Sequence, residues 1–249
     1  MSRSCISRPR IKIAVGIAGY QEVVGTNRAI GSCYKSVDHV FFIDGIYSKY
    51  YRYSNTKNKL SDDGTRELAA RYPNVILQDM PMSTEIGKRN KLLSLCKQYS
   101  CDFLITLDTD EYIIEADWAL FRKNLKEIVL ERDRGKYLVY NIPFTENWGL
   151  SGGWTAQRQR LFYRPSKIRY YGKHYRYKIL DKQSVEYGRI YDGDSGFDTI
   201  RGIRIKEDKS VRSAEREKAM KEYENTYLIP RNGYETTYSI VRMGYKVRP

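Results

Sequence analysis

Apolar runs recur along the first half of this chain at intervals of roughly thirty residues, with helix-patterned segments between them. This alternation restricts the fold more than any other feature. Arg10 to Ala18 reads as a first strand, the Gly19-Tyr20-Gln21-Glu22 turn follows, and a helix is expected from Val23 to Lys35. His39 to Gly45 reads as a second strand with Asp44 near its tip, followed by a polar, Tyr-rich loop and a helix from about Asp62 to Arg71. Asn74 to Gln78 is a third strand. Thr84 can cap a helix starting near Glu85, with Ile86, Leu92, Leu93 and Cys96 on its apolar side, and Asp102 to Asp108 supplies a fourth strand. Such an order implies right-handed βαβ crossovers and a largely parallel sheet, in which ligands bind beyond the C-terminal ends of the strands. The first-strand turn, Asp44 and Asp108-Thr109-Asp110 are therefore expected at one edge.

The fourth strand ends abruptly in Asp108, Asp110 and Glu111. Carboxylates at the tip of a buried strand repel one another and are costly to desolvate unless a cation or several donors compensate. Hard oxygen ligands suit Mg²⁺ or Mn²⁺, and residues spaced by two share one side of a strand. A divalent cation is the simplest expected compensation.

Beyond the fourth strand an amphipathic helix is expected from Trp118 to Asp133 with Asp117 as its N-cap, and then the pattern changes. Lys136 to Pro143, Gln159 to Arg164 and Ile168 to Ile179 read as three strands without long helical intervals, a mixed or antiparallel extension of the sheet. A last helix is expected from Ser213 to Leu228, with Glu215 and Glu217 in its first turn. No linker divides the chain. Residues 1–249 are read as one α/β domain of two halves, 1–115 and 116–249, the second including the C-terminal helix.

The formal charge of +14 favours polyanionic partners: nucleic acid, anionic lipid headgroups or nucleotide diphosphates. Its excess concentrates between Arg158 and Lys182, where Asp181 is the only acid. The 23 tyrosines suit clefts that stack rings and offer hydroxyls. Four cysteines without a Cys-x-x-Cys pair read as reduced thiols. No run approaches the roughly 20 apolar residues of a membrane span. A soluble, cytoplasmic protein is expected, with peripheral membrane contact through basic residues left open.

In the order and spacing of its landmarks the chain resembles the nucleotide-sugar-dependent glycosyltransferases of the Rossmann-like GT-A fold, especially the family 2 group. The matching residues are Val15 to Glu22, Phe41 to Gly45, Gly87-Lys88-Arg89-Asn90, Leu107 to Glu111, Arg160 to Arg164, and Tyr171-Gly172-Lys173-His174. The resemblance spans roughly residues 10 to 180. It implies that Ala18, Gly19, Tyr20 and Glu22 line a nucleobase and ribose pocket. Asp44 would accept a hydrogen bond from base or ribose, and Lys88 and Arg89 would approach the diphosphate. Asp110 would bind Mn²⁺ or Mg²⁺, Asp108 would contact ribose or metal, and His174 would stand near the metal. An inverting transfer also needs a general base. Glu146 is the first candidate, and Asp192, Asp194 and Asp198 are rivals; Trp148 and Trp154 can stack on an acceptor sugar. The implied donor is a UDP-sugar and the acceptor a hydroxyl, with a polyanionic acceptor suiting the charge.

Two other readings compete. A nucleotidyltransferase on a similar α/β scaffold also needs a strand-end metal, but the turn after the first strand lacks a Gly-rich loop with Arg and Lys for a triphosphate. A nucleic-acid-binding protein would use the Arg158 to Lys182 ribbon with Tyr170, Tyr171, Tyr175 and Tyr177 as a stacking and phosphate surface.

Overall fold

The computed structural model describes residues 10–53, 58–114, 116–130, 138–146, 154–171, 173–180, 186–187, 199–212, 214, 217–219 and 221–222, with the backbone alone at 146, 154–157, 173–176, 179 and 186–187. Strands β1 (Ile13–Gly19), β2 (His39–Asp44), β3 (Val75–Asp79) and β4 (Phe103–Asp108) alternate with helices α1 (Val23–Gly31), α2 (Thr65–Ala70) and α3 (Glu85–Gln98). After β5 (Glu111–Ile114) and α4 (Trp118–Leu130) come β6 (Val139–Glu146), β7 (Trp154–Tyr163), β8 (Ile168–Tyr171), β9 (Lys173–Ile179), β10 (Glu186–Tyr187) and β11 (Arg204–Glu207).

Eight strands form one sheet in the order β3-β2-β1-β4-β7-β6-β11-β5. The first four are mutually parallel. β7 runs antiparallel to β4 and β6, while β11 is parallel to β6 and antiparallel to β5. The result is a mixed α/β arrangement on a mostly parallel sheet with flanking helices, the Rossmann-like architecture expected of a GT-A fold. The chain steps outward from β1 to β2 and β3, then returns on α3 to place β4 on the other side of β1. That reversal opens a crevice between the C-terminal ends of β1 and β4.

Alternating side chains explain how both faces are covered. Ile13, Val15 and Ile17 of β1, Val40 and Phe42 of β2, and Phe103, Ile105 and Leu107 of β4 join one apolar cluster with Ala29 and Ile30 of α1. Ala14, Ala18, Phe41, Ile43 and Leu104 face the other way, against Leu92, Leu93, Leu95 and Cys96 of α3. Gly16 admits α3: a Cβ there would lie 2.9 Å from both Leu92 methyls. Thr84 caps α3 as expected, its hydroxyl accepting from the Gly87 N–H at 3.0 Å, and Asp117 accepts from the Leu120 N–H at 2.9 Å at the start of α4.

The structure departs from the sequence reading in several places. The expected helix to Lys35 stops at Gly31 and gives way to a short 3₁₀ turn over Tyr34–Ser36. The stretch Ile168 to Ile179 is two strands, not one: β8 and β9 pair antiparallel and, with β10, make a separate three-stranded sheet. The short strands β5 and β11 carry too few residues to show a period. Of the expected Ser213 to Leu228 helix, the described residues Ala214, Glu217 to Ala219, Lys221 and Glu222 are helical. No helix among the described residues is long and apolar enough to cross a membrane.

Candidate nucleotide and metal site at the sheet edge

Strand register brings the expected residues to one edge. Ala18 pairs with Asp108, Gly19 with Asp44, and Asp44 with Asp79. Two close approaches tighten this edge. A Cβ on Gly19 would lie 2.7 Å from the Thr109 methyl, and one on Gly25 would overlap the Thr109 carbonyl oxygen. These glycines let the first-strand turn and the start of α1 sit directly on Asp108-Thr109-Asp110.

On the β2 side, Asp44 is fully buried. One carboxylate oxygen accepts from the Ser61 hydroxyl at 2.5 Å; the other accepts from the Ser61 N–H at 2.9 Å and from Arg66 at 2.8 Å. Ser61 also accepts from the Gln21 N–H at 2.8 Å, and the Tyr20 hydroxyl donates to the Asn58 carbonyl at 2.7 Å. Arg66 reaches Asp79 as well, at 2.7 Å, and these two carboxylates hold its charge firmly. Asp44 thus secures the loop beside the first-strand turn through Ser61 and Arg66. Glu22 is buried, its N–H donating to the Thr65 hydroxyl at 2.9 Å.

Lys88 and Arg89, adjacent on α3, take different environments. Lys88 is buried, donates to the Gly45 carbonyl and lies 4.2 Å from the centre of the Tyr47 ring. Arg89 points at the acids, its guanidinium 2.6 Å from Asp108. Burial opposes the charge on Arg89, but Asp108, Tyr170, Glu85 and Tyr47 together outweigh it and the pKa is raised.

The three carboxylates at the end of β4 and just beyond it also meet arginines from the other half of the chain. Asp108, with a side chain 32% exposed toward the cleft, also lies 3.4 Å from Arg160. Glu111 pairs with Arg160, lies 3.8 Å from Arg158 and accepts from the Asp108 N–H at 3.0 Å. Burial pushes the Glu111 carboxyl up to about 7 against the opposing pull of Arg160. Asp110, with a side chain only 3% exposed, accepts from Arg212 Nε at 2.7 Å and from a second Arg212 nitrogen. Arg212 sits on a strap that follows β11. The Asp208 N–H donates to the Asp110 carbonyl at 2.7 Å, and the Asp208 carboxylate pairs with Arg28 on α1.

These contacts revise two sequence expectations. Guanidinium groups, rather than a cation alone, compensate the acids. Nor is the Arg158 to Lys182 ribbon one basic surface: Arg158 and Arg160, two residues apart on β7, turn inward onto Glu111 and Asp108, while Arg169 and Lys178 are exposed. Arg158 and Arg160 lay within the basic stretch, and their spacing by two was the available sign of a shared face. Arg212, Glu207, Asp208, Ser61 and Arg66 carried no comparable local signal.

The oxygen-only donor set of Asp108 and Asp110 suits a hard divalent cation, with Arg212 as the group such a cation would displace from Asp110. Among the described residues no ready-made cluster of three or more His, Cys, Asp or Glu could hold a metal. Glu146 ends β6, paired with Trp154 on β7 and Glu207 on β11. Because β7 is antiparallel to both β4 and β6, the tip of β6 points to the same edge as Asp108. The side chains of Glu146, His174 and Trp154 fall outside the described residues, as do Trp148, Asp192, Asp194 and Asp198 entirely.

No family model matches the chain, and no curated protein matches it significantly. Among solved structures, S. aureus TarS residues 1–349 in complex with UDP is similar with a TM-score of 0.38 and 19% identity, over 57% of this chain and 38% of that one. Glucosyl-3-phosphoglycerate synthase from Mycobacterium tuberculosis, in complex with Mn²⁺ and UDP-glucose, has a TM-score of 0.34 and 17% identity over 56% of this chain and 45% of its own. Mannose-1-phosphate geranyltransferase from Thermus thermophilus has a TM-score of 0.31 and 11% identity over 79% of this chain and 58% of its own. The chain spans less than two thirds of each of these proteins. With every TM-score below 0.5, the functional reading rests on the residues of the chain itself.

Proposed function

We propose that this protein transfers a sugar from a nucleotide diphosphate-sugar, a UDP-sugar, to a hydroxyl acceptor with inversion, assisted by a divalent cation at Asp110 and Asp108. The observation that carries this reading is the meeting of the first-strand turn, the Asp44 loop, Arg89 and Asp108 to Asp110 at the β1/β4 crevice. The nucleoside is assigned to the first-strand turn at Ala18, Gly19, Tyr20 and Glu22, beside the loop that Ser61 ties to Asp44. Arg89 and Arg160 are the cations nearest a diphosphate seated above Asp108, and Lys88 backs them through the Gly45 turn. A bound Mn²⁺ or Mg²⁺ would act as a Lewis acid, stabilising negative charge on the departing diphosphate.

The acceptor side falls to the hairpin of β6 and β7, which stays paired from Val139 to Glu146. Glu146 is the proposed base because its strand tip shares the edge with Asp108; Asp194 is its rival, and His174 is proposed as a further metal contact. The inward turn of Arg158 and Arg160 favours this reading over a nucleic-acid surface.

Calorimetry with UDP and Mn²⁺ tests the proposal directly. The wild-type chain should bind UDP more tightly with Mn²⁺ present, and Asp110→Ala should lose the metal-dependent part. Unchanged UDP and Mn²⁺ binding in that variant overturns the metal assignment.

A further inference from the structure

Far from the strand tips, where α3 ends and β4 begins, two buried thiols meet. The backbone there forms a complete Schellman cap. Ser100 takes a left-handed conformation with φ 55°, its N–H bonds to the Lys97 carbonyl at 3.3 Å, and the Cys101 N–H bonds to the Cys96 carbonyl at 2.8 Å. In this motif the residue three from the end of the helix packs against the second residue beyond its cap. Here both of those residues are cysteines. Standard bond lengths around a 2.8 Å hydrogen bond leave their Cα atoms less than about 6.8 Å apart, inside the span a disulfide bridges. Both side chains belong to the same apolar cluster, both thiols are free, and the Cys101 thiol donates to the Tyr99 carbonyl at 4.0 Å.

The two thiols are not equivalent. Cys96 is 1% exposed and Cys101 8%. Burial raises the Cys96 thiol well above its ordinary value, whereas the neighbouring Cys96 lowers that of Cys101. Cys33 provides an internal contrast: buried in α1's end and bonded to the Ala29 and Ile30 carbonyls, it is pushed up to about 12 by burial. Reactivity follows the thiolate and its access, so Cys101 is the attacking sulfur and Cys33 is inert.

We propose that Cys96 and Cys101 form a reversible dithiol–disulfide site at the C-cap of α3, oxidised by low-molecular-weight disulfides of the glutathione class. The Cys101 thiolate attacks glutathione disulfide, breaking its S–S bond and releasing one glutathione; the Cys96 thiolate then attacks the mixed disulfide and releases the second. Two protein thiols and one glutathione disulfide give one protein disulfide and two glutathione molecules, so electrons and protons balance. The site stands independently of the sugar-transfer reading.

Peptide mapping tests this on the full chain. Trypsin cuts after Lys97, placing Cys96 in Leu92 to Lys97 and Cys101 in Gln98 to Arg122. After incubation with glutathione disulfide and blocking of remaining thiols, the two peptides should be recovered joined, from protein lighter by two hydrogens, and dithiothreitol should separate them. In a parallel alkylation of the reduced chain, Cys101 should react at least about tenfold faster than Cys33. Cys96→Ser should trap a stable single glutathione adduct on Cys101. Recovery of both peptides blocked and unjoined, or with glutathione on Cys101 of the wild-type chain and no closure, overturns the proposal. The wild-type mapping decides the matter even if the variant fails to fold.

Discussion

The two halves of the large sheet supply opposite charges by different means. The acids sit on consecutive strand tips of the parallel half, each at the end of an apolar run, so register alone aligns them. Some of their basic partners are near in sequence, Arg66 at Asp44 and Arg89 at Asp108. Those from the other half arrive from far along the chain: Arg160 reaches Asp108 across 52 residues and Arg212 reaches Asp110 across 102. A strand tip is a local feature, whereas a salt bridge between halves is a product of topology. The comparison teaches that the acids define where the site is, and that the arginines define how tightly it is held before a ligand enters.

Removing an acid should cost the most activity. Asp110→Ala should lower kcat/KM for sugar transfer by about 10³-fold or more, roughly 4 kcal/mol of transition-state stabilisation, with the thermal transition little changed. Retention of near-full turnover would mean that the acids of the parallel half are structural. Removing a buried arginine should act on stability instead. Arg160→Ala leaves Glu111 buried without its closest cation and should cost about 3–5 kcal/mol in denaturant unfolding, and adding Glu111→Gln should recover part of that loss. If the double variant is no more stable than the single one, the two halves are not coupled through this pair.

Packing between the acid turn and α1 comes next. Gly25→Ala pushes a methyl into the Thr109 carbonyl and should destabilise the chain by about 1–3 kcal/mol while weakening Mn²⁺ binding, measured by calorimetry. Arg212→Ala leaves the buried Asp110 carboxylate without its guanidinium partner and should cost about 1–3 kcal/mol of stability, yet tighten Mn²⁺ binding, because the cation no longer competes for Asp110. Weaker Mn²⁺ binding in that variant would make Arg212 a helper of the metal and not its rival. The smallest effect is expected at Lys178, exposed on β9, where Ala should change stability by less than about 0.5 kcal/mol and leave UDP binding intact.

The parallel half was legible because each strand repeats the same cue, an apolar run closing on a turn or an acid, and because Thr84 and Asp117 announce their helices with side-chain caps. The β8–β9 hairpin was hidden because no multi-residue turn signal divides Ile168 to Ile179; the change of buried phase from Ile168 and Tyr170 to Tyr177 was the available sign of two strands. Asp44 was placed correctly at a strand tip, but its partners Ser61 and Arg66 lie 17 and 22 residues away, beyond any local pattern. The inward turn of Arg158 and Arg160 was masked for a related reason: charge count along the sequence does not say which face of β7 meets the carboxylates.

The alternation along β4 has a consequence for how this protein can change over time. Phe103, Ile105 and Leu107 face one core and Leu104 the other, and Asp108 follows at a set count from Phe103. Exchanging one apolar side chain for another leaves that count intact. Inserting or deleting a single residue swaps the two faces and carries Asp108 away from the crevice. What β4 passes from one generation of the gene to the next is chiefly a length.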